Sequence, residues 1–241
     1  ASFSPLLDGL IRGWVDFGKG DMSAATAEFD EMRANNAMRV FSDYHRALML
    51  AVVGDFEGSE KLLAGENGQP VRIGRGSLIA HIEVLSQLER NPDAIKVIEG
   101  AMNGSGDLEM LNLLQRLNAG ETLPISQVSN PVEGAAEVFF TLASVLSGED
   151  NDRFGLIYAR LSEYLRPTSV ESLLMVADML SAQKQFDLAV ESLNKVPSSH
   201  PEFYTAEIGR SEALQAAGKA EAAIEVLRGL TKTHKTIPTV F

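Results

Sequence analysis

The sequence predicts an all-α fold, a right-handed α-α superhelix (solenoid) of about six helix pairs plus one unpaired helix. Two observations predict it. Gly20-Asp21 recurs as Gly54-Asp55, and far along the chain Pro167 recurs as Pro201, both at an offset of 34 residues. A fixed period of this length is typical of stacked helix–turn–helix units, each of which buries its apolar face against its neighbours.

Apolar residues at helical spacing, separated by turn residues, divide the chain into helices. A turn glycine accepts the left-handed conformation that ends the first helix of a pair, and a proline stops the second. The predicted pairs are 5–18 with 22–33, 38–53 with 56–64, 75–89 with 92–102, 135–147 with 153–165, 170–183 with 186–195, and 202–217 with 220–233; the unpaired helix is 107–118.

The period is broken near residues 119–134, where Gly120, Pro124 and Pro131 leave no room for a second helix of normal length. We expect an extended linker here, inside one solenoid that spans residues 1–241. Long irregular segments in compact arrays are often functional, although this one could equally pack across the solenoid as a wedge. Because the register would open another helix near Ile237, we also expect the chain to be a piece of a longer array.

Small residues recur where the two helices of a pair would cross, which lets their backbones approach. Together with the turn glycines and boundary prolines, they resemble the tetratricopeptide repeat family. The stretches 42–48 and 138–143 also resemble the middle portion of long exported bacterial proteins of that family. The resemblance implies a protein-interaction scaffold in the periplasm or cell envelope, while the sequence alone also allows the cytoplasm. The small residues are Gly13, Ala47, Ala177 and Ser211 on first helices, and Ala25, Ala94, Ala189 and Ala223 on second helices.

The same resemblance implies that first helices line a concave groove through positions 2, 5, 9 and 12 of each repeat, a spacing that forms one helical stripe. The stripe is apolar and aromatic at first and acidic later. An apolar stripe suits a partner helix or extended apolar peptide, and an acidic one suits lysine and arginine. The predicted partner-binding residues are Leu10, Trp14, Phe17, Phe41, Tyr44 and Leu48, followed by Glu83, Glu137, Glu171, Asp178 and Glu212.

Other interpretations of the stripe stay open. The aromatic residues could be ordinary packing residues, and the acidic ones could be solvated surface. The apolar N-terminal surface could instead form a homodimer or dock the rest of the chain. The chain could also be the non-catalytic accessory domain of an enzyme. None of these alternatives identifies the partner.

A second regularity places arginine at position 7 of several repeats, where a large apolar residue is usual. Arg12, Arg46 and Arg210 stand there, and His81 takes the same place in the third repeat. A periodic arginine could clamp carboxylates of a ligand. We favour the plainer hypothesis of an internal pair with a glutamate of the next helix.

Composition bounds the function. With 33 acidic and 21 basic residues, the net charge of -12 argues against nucleic-acid binding. No apolar run approaches the ~20 residues of a membrane span. Cysteine is absent, and no two of the four histidines have the spacing of a metal site on a helix. We find no catalytic motif either, so the sequence predicts a non-enzymatic protein without cofactor or metal.

Overall fold

The computed structural model describes residues 4–66, 69–102, 107–147 and 152–233. Within these ranges it contains thirteen α-helices and no strand. Six pairs plus one helix also make thirteen, so the predicted all-α helical-repeat class is confirmed. Residues 234–241, where the register predicts a further helix, lie outside the described residues.

The helices are α1 (Pro5–Gly18), α2 (Met22–Arg33), α3 (Asn36–Val52), α4 (Phe56–Leu63), α5 (Arg75–Gln87), α6 (Asn91–Met102), α7 (Leu108–Asn118), α8 (Pro131–Leu146), α9 (Asp152–Leu165), α10 (Val170–Ala182), α11 (Phe186–Leu193), α12 (Phe203–Ala216) and α13 (Ala220–Thr233).

The chain divides into two compact units, Ala1–Ser144 and Val145–Phe241. In the first unit each helix from α1 to α7 packs on the next, and α1 contacts α3 as α3 contacts α5. In the second unit α9 to α13 pack in the same order, and α10 contacts α12. Contacts between every second helix are what stacked helix pairs produce, with the first helices forming one layer. Among the described residues, no helix has both the length and the hydropathy of a membrane span.

The turns between paired helices repeat one geometry. Gly20 and Gly54 have φ angles of 83° and 82°, the left-handed conformation that the sequence predicts for them. The residue after the turn closes it, since the N–H of Asp55 donates to the carbonyl of Leu50 at 2.9 Å. This bond is the 6→1 hydrogen bond of a Schellman motif, which ends a helix and satisfies one of its last carbonyl groups. Glu89 takes the same conformation, with φ of 58°, at the equivalent place in the third pair.

Small residues lie at the helix crossings, as predicted. A Cβ atom added to Gly13 would lie 2.6 Å from the Cζ atom of Phe29, so α1 and α2 approach too closely for any larger residue. Ala47 is fully buried on α3, and the hydroxyl of Ser59 on α4 donates to its carbonyl at 2.8 Å. The pattern therefore reflects close packing within each pair.

Helix α8 begins at Pro131, earlier than the predicted 135. Asn130 Oδ1 accepts from the N–H groups of Val132 and Glu133, both at 3.0 Å. Glu133 Oε2 in turn accepts from the N–H of Ser129 at 2.8 Å. This reciprocal capping, with proline at the first helical position, starts the helix there. The irregular segment between α7 and α8 consequently spans residues 119–130.

Candidate functional site

The apolar half of the predicted stripe lies on α1 and α3, in the layer of first helices of the first unit. Four of its six residues are buried, with at most 1% of each exposed: Leu10, Trp14, Tyr44 and Leu48. The other two, Phe17 and Phe41, keep part of their surface. We call the side of α1, α3 and α5 that carries Trp14, Tyr44 and Glu83 the inner face.

Helix α8 covers part of the inner face. A Cβ atom at Gly134 would lie 2.2 Å from the indole Cδ2 of Trp14, so the backbone of α8 rests directly on this ring. The hydroxyl of Tyr44 donates to Glu137 Oε1 at 2.9 Å. Only glycine fits where a backbone approaches a ring this closely. The structure thus joins two predicted site residues, Tyr44 and Glu137, to each other.

The irregular segment continues this cover across α5. Ser86 Oγ accepts from the N–H of Leu123 at 2.9 Å, and Gln87 Nε2 donates to the carbonyl of Leu123 at 2.5 Å. At the start of α6, Asn91 Nδ2 donates to the carbonyl of Glu121 at 3.1 Å. Side chains of the helices thus bind the main chain of the segment. We call residues 121–137, which lie on the inner face, the inserted segment.

Glu83 holds the middle of the inserted segment. It is only 3% exposed, and its carboxylate accepts from both the N–H and the hydroxyl of Ser126, at 2.9 and 2.5 Å. Nearby, Leu123 is fully buried in a cluster that includes Ile79 and Ile82. Burying a carboxylate requires such donors, because an unsatisfied charge in the interior is costly.

Beneath the stripe lies a buried histidine. Trp14 Nε1 donates to His45 Nδ1 at 3.1 Å, so Nε2 carries the remaining proton. His45 is fully buried, and Nε2 has no hydrogen-bond partner among the described residues. Burial lowers the pKa of His45 to about 3. Burial, with the charges of Arg72 and Arg90, lowers the pKa of His81 to about 4.

The acidic half of the predicted stripe differs between its members. Asp178 on α10 and Glu212 on α12 line one open pocket of about 260 Å³ in the second unit, together with Ser181. Neither carboxylate is paired with a donor or cation in the described part of the chain. Glu171 lies outside this pocket, at the start of α10, and accepts from Ser169 Oγ at 3.3 Å.

The environment of this pocket disfavours the ionised form of Asp178. Desolvation, followed by the negative charge of Glu212, raises the pKa of Asp178 above its ordinary value. The side chain of Asp178 remains accessible to solvent, so the pocket removes only part of its hydration. A cation entering the pocket would offset the negative charge of Glu212 and favour the ionised form of Asp178.

The arginines at position 7 pair with acidic residues of the same chain, but only Arg12 pairs with a glutamate of the next helix as predicted. Arg46 Nη1 lies 2.5 Å from Asp30 on the preceding helix, and Arg12 Nη1 lies 3.8 Å from Glu28. Arg210 pairs with Glu207 on its own helix, and also donates to Asn194 at 3.1 Å. These arginines therefore serve the packing of helix pairs.

The sequence interpretation missed the residues that bind the inserted segment, chiefly Ser86, Gln87 and Asn91. One signal was available. Residues 78–85 of α5 place apolar side chains on every side of the helix and include a single charged residue, Glu83. A helix without a solvated face must be covered on every side. The lack of a polar face predicts that another part of the protein packs over α5, but it does not predict which segment does so.

No protein-family model matches the chain, and no curated protein does. Among solved structures, a crystal structure of MamA protein is similar, with a TM-score of 0.40 and 12% identity, over 96% of this chain and 92% of that one. At this level of similarity, the assignment of a helical-repeat fold comes from the chain's own helix pairing and turn geometry.

Proposed function

We propose that the chain is a non-catalytic scaffold that binds another protein, and that the face of α10 and α12 receives a lysine or arginine side chain of the partner. One observation carries the proposal. Asp178 and Glu212 line the same open pocket, and neither has a partner within the described residues. Stacked helix pairs commonly present such a face to partners.

The chemistry of the pocket favours a long cationic side chain. Small residues, among them Ala177, Gly209 and Ala216, line the pocket beside the carboxylates. They leave space for the aliphatic stem of lysine or arginine, while the charged head reaches both carboxylates. An ammonium or guanidinium group would remove the repulsion that raises the pKa of Asp178.

Replacing Glu212 should lower the pKa of Asp178. With Glu212→Gln, the like charge disappears while the shape of the pocket is kept, so the carboxyl of Asp178 should titrate nearer its ordinary value. The melting temperature at neutral pH should rise slightly, because a repulsion present only in the folded state is removed. Carboxyl-carbon NMR titration and thermal unfolding measure the two effects. Glu191→Gln, an exposed site on α11, should change neither.

Peptide selection tests the binding itself. We expect random peptides displayed on phage and selected on the full chain to be enriched in one central lysine or arginine. The double variant Asp178→Asn with Glu212→Gln should bind a selected synthetic peptide at least about tenfold more weakly, since each lost charge pair is worth about a kcal/mol.

The control carries the same change of charge elsewhere. Glu191→Gln with Glu225→Gln alters two exposed carboxylates on α11 and α13 and should leave affinity unchanged. Equal losses in the two double variants would mean that only net charge matters. Selected peptides without a basic residue would also contradict the proposal.

A further inference from the structure

The inserted segment lies on the inner face as a peptide ligand would, although it belongs to the same chain. Its main chain is bound by side chains of Ser86, Gln87 and Asn91. Bonds from side chains to main chain hold the backbone of the segment in place whatever side chains it carries at those positions. The inner face therefore contacts the segment first of all through the segment's main chain.

Two side chains of the segment make this recognition selective. Leu123 is fully buried among Ile79 and Ile82, and three residues later Ser126 supplies both donors to Glu83. A segment without the leucine would leave a cavity, and one without the serine would strip a donor from a buried carboxylate. The occupant of this face must therefore carry both.

A single turn separates the inserted segment from α7, the last of the helices that precede it. Helix α7 ends at Asn118, and Gly120 follows with φ of 79°. The turn is closed by a bond from the N–H of Glu121 to the carbonyl of Arg116 at 3.1 Å. Nothing lies within 4 Å of a Cβ atom placed on Gly120, so a side chain added there would meet no neighbouring atom.

We infer that the inner face of one copy of the chain accepts the inserted segment of a second copy, in a reciprocal exchange that opens at Gly120. The second copy is the partner whose chemistry fits, because it carries the identical leucine, serine and following helix. Every contact between the segment and the inner face re-forms in the exchanged dimer, so the two states differ mainly in the hinge, including its Arg116–Glu121 contacts, and in the entropy of association. The exchange uses the first unit alone and does not depend on the pocket of Asp178.

The hinge gives the test. Gly120→Val disfavours the left-handed turn of the closed monomer, whereas an open hinge needs no positive φ. We expect dimerisation to strengthen by about tenfold per hinge, and thus by about a hundredfold for two hinges. Size-exclusion chromatography with light scattering, over a range of protein concentrations, measures this. Gly54→Val is the matched control, with the same φ near 82° and open space around its Cβ position, but at a turn inside a helix pair.

A cross-link distinguishes exchange from any other dimer. The natural chain lacks cysteine, so Asn91→Cys with Glu121→Cys introduces the only thiols. These positions meet where the segment crosses the start of α6. After oxidation, a closed monomer links within one chain, and an exchanged dimer made with Gly120→Val links between chains. We expect covalent dimers on non-reducing gels.

Each other outcome overturns the inference. A Gly120→Val chain that stays monomeric up to its solubility limit excludes exchange, and so does a dimer whose thiols link only within chains. A Gly54→Val chain that dimerises as strongly shows that general destabilisation is responsible. If Gly120→Val fails to fold by circular dichroism, Gly120→Ala disfavours the same left-handed turn by a smaller amount, and its dimerisation decides.

Discussion

Trp14→Ala is expected to lower the free energy of unfolding of the first unit by about 3–5 kcal/mol, the range for truncating a large buried aromatic residue. The ring is 1% exposed and packs edge-on against Phe29, with ring centres 6.5 Å apart. It also donates to His45 and supports Gly134 of α8. The variant therefore loses the packing of α1 on α2 and the base on which α8 rests.

Urea unfolding followed by circular dichroism measures this loss, since the chain has a single tryptophan and the variant has no indole fluorescence. The neighbouring Val15, 47% exposed on the same helix, supplies the control. Val15→Ala should change the free energy of unfolding by no more than about 0.5 kcal/mol. Equal, small effects of the two substitutions would show that Trp14 lies at a surface and not in a core.

Acidification from about pH 7 to about pH 5 is expected to lower the free energy of unfolding by about 4 kcal/mol, roughly half from His45 and half from His81. Burial lowers their folded-state pKa values to about 3 and about 4. Below pH 6.5, the ordinary pKa of histidine, these two side chains are protonated in the unfolded chain but stay neutral in the folded one. Stability is therefore complete above that value and is lost as the pH falls towards the folded pKa values.

Thermal unfolding across this pH range checks the prediction, with His45→Asn as the informative variant. Asparagine keeps an oxygen near Nδ1 that can accept from Trp14, yet it does not titrate. The variant should lose only about 2 kcal/mol over the same range. A His45→Asn chain as acid-sensitive as the parent would refute a neutral buried His45.

The fold could be predicted from the sequence because its information is local. The period places Gly20, Gly54 and Gly13 at their turns and crossings, and each contact they make lies within one helix pair. Amphipathic spacing likewise gives the helices their bounds within a few residues. The start of α8 was missed because Asn130 and Glu133 cap a helix inside a segment whose prolines suggested only a linker.

The occupancy of the inner face could not be predicted, for a physical reason. Periodicity correctly put Tyr44 and Glu83 among the first-helix positions, but it says nothing about what covers them. Tyr44 meets a partner 93 residues away, and Glu83 meets one 43 residues away. Such pairings depend on how the chain returns on itself after α7, and no local spacing encodes that. Binding of a partner by the acidic residues stays a prediction.

The inserted segment also sets the affinity that a free peptide needs in order to displace it from the inner face. Receptor and ligand are joined by one short turn there, and such tethering gives an effective concentration on the order of millimolar. For a segment whose own intrinsic dissociation constant is about 1 μM, a competing free peptide would then show an apparent constant roughly a thousandfold weaker than its intrinsic one. Screens at micromolar concentration should therefore detect ligands of the α10 and α12 pocket and pass over those of the inner face.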